Sequence, residues 1–114
     1  MIEKIILDFL SNSLPDVPCY MERPEKKPAG KYIILEKTGS SLANHLPSAT
    51  IAVQSYAPTL EQAADLNQAV KAVLLNSQTE EEISGVRLQT DYNFTNTATK
   101  ETRYQAVFDF YYYE

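Results

Sequence analysis

The sequence predicts an α+β fold: one two-layer domain in the order α-β-β-β-α-β-β, with two helices packed on one face of an antiparallel or mixed sheet. Three observations carry that expectation. Two segments repeat apolar residues at helical spacing, several shorter ones alternate or run continuously apolar, and Pro or Gly punctuates the boundaries between them. The 114 residues, 44% hydrophobic and 22% charged, suit a single domain spanning 1–114 with its own core.

In the first segment Ile2, Ile5, Ile6, Phe9 and Leu10 oppose Glu3, Lys4, Asp8 and Ser11, which predicts an amphipathic helix over residues 2–14. Pro15 ends it, because the residue before a proline is pushed out of helical geometry. Residues 17–22 read as a short strand, and 23–30, with two prolines and a terminal glycine, as a loop. The strand at 31–38 contains the run Tyr32-Ile33-Ile34-Leu35, continuously apolar like a strand covered on both faces. Residues 39–48 read as a second loop. The strand at 49–57 puts Ile51 and Val53 on one face, Thr50, Gln54 and Tyr56 on the other, and Pro58 stops it.

Thr59-Leu60-Glu61-Gln62 has the form of a capping box, the Thr hydroxyl accepting from a first-turn amide. The helix it opens is expected to run to about residue 76, burying Ala63, Leu66, Ala69, Val70, Val73 and Leu74. Residues 77–85, with Glu80-Glu81-Glu82, read as a solvated turn. A long hairpin closes the chain. Val86, Leu88, Thr90, Tyr92 and Phe94 alternate with Arg87, Gln89, Asp91 and Asn93; after a turn near 96–100, Tyr104, Ala106, Phe108, Phe110 and Tyr112 oppose Gln105, Val107, Asp109, Tyr111 and Tyr113.

Charge narrows the function classes. The net charge is -5, and all of it falls in residues 59–114, where nine acidic side chains face four basic ones, against six of each in residues 1–58. Such a chain is a poor match for sequence-specific nucleic-acid binding, which needs clustered Lys and Arg. Arg23, Lys26, Lys27 and Lys31 form a basic cluster, interrupted by Glu25, and read as solvated loop lysines. A lone Cys19 allows no internal disulfide and points to a reducing compartment. The apolar run before Asp8 is too short for a signal-peptide core, and no stretch has the length of a membrane span, so no membrane role is expected.

Catalytic parts are scarce. His45 is the only histidine; Cys19, in an apolar strand, reads as a small hydrophobe rather than a nucleophile. Glu80-Glu81-Glu82 lacks the alternating spacing and glycine of a calcium loop, and Gly30, Gly39 and Gly85 are too isolated to cradle a phosphate. Asp91 and Asp109 could face each other across the final hairpin, a pair more often solvated than catalytic. The expectation is a protein with no enzymatic activity, no cofactor, no metal and no catalytic residue.

Surfaces say more. The last strand keeps Val107, Tyr111 and Tyr113 on the face that helices would not cover, and tyrosine is enriched in protein interfaces. The loops at 23–31 and 39–48 are long for links between neighbouring strands, which suits contact arms.

A family resemblance follows from the order of elements. An N-terminal helix and short strand lead to a proline-containing loop before Lys31-Tyr32-Ile33-Ile34-Leu35. A third strand then ends at Tyr56-Ala57-Pro58, and a helix with Ala63-Ala64 and Leu66 precedes the closing hairpin. The whole chain, and most of all the strand–Pro–helix junction from Tyr56 to Gln62, resembles the tail terminator (tail-completion) and related minor capsid or head–tail joining proteins of long-tailed bacteriophages and prophages. The resemblance implies a structural protein that forms a ring, typically a hexamer, capping the finished tail tube and docking the head connector. It implies tail-tube and head-connector partners, and a place in the cytoplasm of the bacterial host during assembly and then in the virion. It carries no catalytic residue. A ring needs two different complementary patches on each subunit. The 39–48 loop, with Leu42, His45 and Leu46, and the terminal strand, with Val107, Tyr111 and Tyr113, are the candidates. The alternative is a small soluble ligand- or protein-binding module with a pocket between helix and sheet.

Overall fold

In a computed structural model the described residues are 2–26, 28–43, 46–77 and 81–113, with the side chains of 41–43 and 46 outside the description. The elements are α1 (Ile2–Ser13), β1 (Cys19–Tyr20), β2 (Tyr32–Ala43), β3 (Leu46–Tyr56), α2 (Leu60–Leu74), β4 (Ile83–Asn93) and β5 (Arg103–Tyr112). The strands form one mixed sheet in the order β1-β2-β3-β5-β4, with β1 parallel to β2 and every other pair antiparallel. The α+β class and the order α-β-β-β-α-β-β are those expected.

The helices cover one face because each carries a single apolar stripe. Ile2, Ile6 and Leu10 of α1 recur every four residues, and Ala63, Leu66, Val70 and Leu74 line α2. Both stripes meet Ile33, Leu35, Ala49, Ile51, Val53, Ala106, Phe108 and Phe110 in one core. Each fully buried Leu, Ile or Phe contributes about 1.5–3 kcal/mol relative to exposure. The Thr59 half of the α2 cap is as anticipated: Thr59 is extended and its hydroxyl accepts from the Gln62 amide at 3.2 Å. Thr59→Ala is therefore expected to lower stability by about 1 kcal/mol without altering the fold, a change readable as a shift in urea midpoint at constant slope.

Three expectations need correction. The predicted strand at 17–22 shrinks to Cys19–Tyr20, which pair with Ile33 and Ile34 of β2. Parallel neighbours need a crossover of a dozen or so residues, which is why the connection from 21 to 31 is long.

The predicted loop at 39–48 is instead the distal part of a hairpin. Ser40 pairs with Ala49, Ser41 with Ser48, Leu42 with Pro47 and Ala43 with Leu46. Gly39 and the serines hide a strand because backbone pairing needs no apolar alternation once a partner strand is in register. A bulge between Lys37 and Gly39 completes the disguise by breaking the alternation.

The third correction concerns β4. Register shifts between Ile83 and Gly85 and between Leu88 and Thr90 make its faces change side along its length. Val86 and Leu88 pack on the core, but Asp91 bonds to α2 while Tyr92 meets Gln105 on the opposite face. Asp91 and Asp109 consequently lie on opposite faces and form no carboxylate pair.

Candidate functional site

The face of the sheet away from the helices carries an ordered polar layer. Strand alternation and the antiparallel register place Thr50, Ala52, Gln54 and Tyr56 of β3 beside Asp109, Val107, Gln105 and Arg103 of β5. Around Asp109, Thr50 Oγ1 donates at 2.8 Å, Gln89 Nε2 at 2.7 Å and an Arg87 guanidinium nitrogen at 3.1 Å. Burial alone would raise the Asp109 pKa, but the hydrogen bonds from Gln89, Thr50 and Arg87 outweigh it and hold the carboxyl below its ordinary value. A second chain of bonds lies towards the start of β5. Tyr56 OH donates to Gln54 at 2.9 Å, Gln54 donates to Gln105 at 3.0 Å, and Gln105 donates to Tyr92 OH.

Tyr56 is also the hub of an aromatic–arginine cluster. Its ring stacks on Tyr32 at 4.5 Å and 6°, with Tyr20 edge-on to Tyr32. Its hydroxyl accepts from Arg103 at 2.8 Å and Arg23 at 3.3 Å, and Arg23 pairs with Glu101 at 3.1 Å. Tyr32, Ile34 and Tyr56 thereby form a small second core beneath the 21–31 connection. Burial pushes the pKa of the Tyr32 hydroxyl up from its ordinary value. A cleft of about 260 Å³ opens beside it, lined by Gly30, Tyr32, Tyr56, Pro58, Lys100 and Glu101 among others. Gly30, at φ +97°, supplies the left-handed turn on its rim.

The ion pairs of this face are asymmetric. The Asp109 and Glu101 side chains are 12% and 10% exposed, whereas their partners Arg87 and Arg23 are 69% and 55% exposed. The carboxylates are sunk and satisfied, and the guanidiniums reach solvent. Charges on the strand residues facing this way, Glu36, Arg87, Arg103 and Asp109, sum to zero.

The predicted interface residues separate into groups. Val107 and Tyr111 lie on this open face, half-buried and exposed respectively. Tyr113 lies past the end of β5 and lines a different cleft with Ile2, Ile5, Lys37 and Tyr112 at the start of α1. Leu42 and Leu46 occupy facing ends of β2 and β3, and their side chains, like all of His45, lie outside the described residues. Cys19 is half-buried, its thiol donates to the Val17 carbonyl at 3.6 Å, and burial pushes its pKa up, which disfavours the reactive thiolate. Among the described residues no group of His, Cys, Asp and Glu is placed to hold a metal ion, and no helix is long and apolar enough to cross a membrane.

Sequence reasoning passed over the Gln54–Gln105–Tyr92 chain and the Arg103–Tyr56 hub, because both depend on strand register. One signal was readable: between Lys37 and Glu61 the chain has no Asp, Glu, Lys or Arg, and that stretch is the distal part of β2, all of β3 and the turn to α2. β1 pairs only with Ile33 and Ile34, so among the described residues no strand pairs with the outer edge of β2 beyond them. Chemically, most charges of the open face are already paired, and no described nucleophile sits beside a base. No protein-family model matches the chain, and no curated protein matches it significantly.

Proposed function

We propose that this chain is a structural assembly protein whose copies join into a ring, as in the tail terminator and head–tail joining proteins its element order resembles. Tail-tube and head-connector proteins would be its further partners, met in the host cytoplasm and kept in the virion. The observation that carries this reading is the uncharged β2–β3 hairpin. Among the described residues its last pairs, beyond Ser48↔Tyr111, have no third strand beside them, and every residue from Glu36 to Ser40 is exposed, although Pro47 is buried. Solitary proteins protect a strand edge with charge, proline or a bulge. Here the bulge at Lys37–Gly39 comes before the uncharged part, and past it the β2 edge carries neither charge nor proline, Pro47 lying on β3. Such an edge is suited to burial against another subunit.

Light scattering over a wide concentration range tests the reading. The expected result is growth from monomer towards a closed species of several subunits, with no further increase once the ring is complete. A monomer at every concentration, together with no binding to tail-tube subunits, would count decisively against it.

The second reading, a ligand-binding module, draws on the cleft at Tyr32 and Tyr56. That cleft lies on the side of the sheet away from the helices, not between helix and sheet as the sequence suggested. It would be favoured by a small molecule that raises the thermal midpoint in proportion to the logarithm of its concentration.

A further inference from the structure

We propose that Arg103 and Arg23 form the anion end of a binding site for a small monocarboxylate with an apolar body. The site is a cleft of about 440 Å³ on the open face, between the start of the 21–31 connection and strands β2, β3 and β5. It does not depend on the assembly reading, and it shares only Tyr56 with the cleft beside Tyr32.

Two cations converge there on one oxygen. Arg103 Nη1 and Arg23 Nη2 donate to the Tyr56 hydroxyl at 2.8 and 3.3 Å, and that hydroxyl gives its own proton to Gln54. Tyr56 is buried, and its oxygen has no capacity left for either guanidinium. Glu101 bonds to Arg23, but among the described residues no carboxylate bonds to Arg103. One positive charge of the pair is therefore uncompensated, and like charges this close repel. A carboxylate lodged between them removes that repulsion and accepts charge-assisted hydrogen bonds.

Arg103 is also fixed in advance. Its Nε donates to the Phe94 carbonyl at 2.7 Å, and its guanidinium lies 4.4 Å from the Phe94 ring centre and 5.6 Å from that of Tyr56. Its other terminal nitrogen, Nη2, has no acceptor among the described residues. A guanidinium held in this way has lost its rotamer freedom before a ligand arrives, which lowers the cost of binding.

The rest of the cleft sets the class of anion. Met21, which is exposed, and Ile34 give it an apolar wall that suits a hydrocarbon body. Glu22 and Glu36 line it too, both exposed, and among the described residues neither bonds to an arginine of the pair. Glu36 stands four residues along the strands from the Tyr32–Tyr56–Arg103 row, roughly 13 Å away, so it leaves the guanidiniums open. These two carboxylates oppose a second negative charge on the ligand, which favours a monocarboxylate over a dianion.

The test is a proton–nitrogen NMR titration of the full chain at fixed ionic strength, with phenylacetate, acetate and sulfate as probes. Phenylacetate is expected to shift the Arg103 Nε–H signal and the amides of Glu22 and Arg23, and to bind at least about tenfold more tightly than acetate or sulfate. Arg103→Gln should weaken it at least about tenfold and Arg23→Gln at least about threefold. Arg87→Gln, at the far end of the face, should leave it unchanged. The spectra report folding, and Arg23→Gln, at a side chain 55% exposed, decides the matter should Arg103→Gln misfold. No phenylacetate shift at Arg103 or Arg23 would overturn the site, as would unchanged affinity in the arginine variants. Acetate or sulfate binding as tightly as phenylacetate would overturn the class of ligand. Light scattering decides the ring reading separately, so failure of one leaves the other standing.

Discussion

Phe108→Ala is expected to destabilise the fold by about 3–5 kcal/mol, the range for emptying a buried aromatic site. Phe108 is fully buried on β5, the strand with β3 on one side and β4 on the other, where it pairs with Ile51 and Leu88. Its ring lies 5.8 Å from that of Phe110, under the stripes of both helices. Small domains have only about 5–15 kcal/mol in all, so this single truncation should remove at least about a fifth of it. Urea denaturation followed by circular dichroism reads the loss directly. A cost below about 1 kcal/mol would mean that α1 and α2 can sink into the space left behind, and that the core is less tightly determined than its burial implies. Tyr111→Ala, on the same strand but 39% exposed, is the control and should move stability far less.

Why Phe108 could be placed in the core from sequence, while its neighbours on β4 could not, is a matter of register. Along β5 the alternation of Ala106, Phe108 and Phe110 with Gln105, Val107 and Asp109 is unbroken, and a strand without bulges obeys the period of two. The stripes of α1 and α2 were legible for the same reason, since helical spacing survives wherever Pro and Gly are absent. Asn67 is the exception on α2. It lies on the buried stripe and its Nδ2 donates to Asp91 at 2.9 Å beside Lys71, a partner from β4 that local pattern cannot reveal, while its buried Oδ1 has no partner among the described residues. On β4 the shift between Leu88 and Thr90 moves Asp91 to the helices and Tyr92 to the open face, and no residue type announces it. The hairpin was hidden differently. Gly39, Ser40 and Ser41 carry turn-like composition in an extended backbone, whose reason for being extended is its pairing with Thr50, Ala49 and Ser48. The candidate site inherits these blind spots: Val107 and Tyr111 were visible because β5 is regular, whereas the bonds that make their surroundings coherent cross between strands.

Asp109→Ala is expected to cost about 1–3 kcal/mol, although the residue lies on the face that no helix covers. Removing a sunk acceptor leaves its donors without their partner. Here Thr50 and Gln89 would lose their acceptor and Arg87 its counter-charge. The reverse deletion, Arg87→Ala, should cost at most about 1 kcal/mol, because that side chain is 69% exposed and the carboxylate keeps two other donors. The contrast between the two variants is the diagnostic, since an ordinary surface ion pair would give two small and similar numbers. Acid should act through the same site. The folded-state pKa of Asp109 is lowered by its donors against the opposing effect of burial, and that of Asp91 is lowered first by Lys71. A carboxylate whose folded pKa lies below its unfolded value contributes stability that is present above the unfolded pKa, near 3.9, and is lost as pH falls through the folded one. Wild-type stability should therefore be flat above about pH 5 and fall below about pH 4, with a shallower fall in Asp109→Ala, which has lost one of the two groups. Equal slopes in the two proteins would place the acid sensitivity elsewhere, and a cost for Asp109→Ala no larger than that for Arg87→Ala would mean that the polar layer is solvated decoration rather than a preorganised surface ready to be covered.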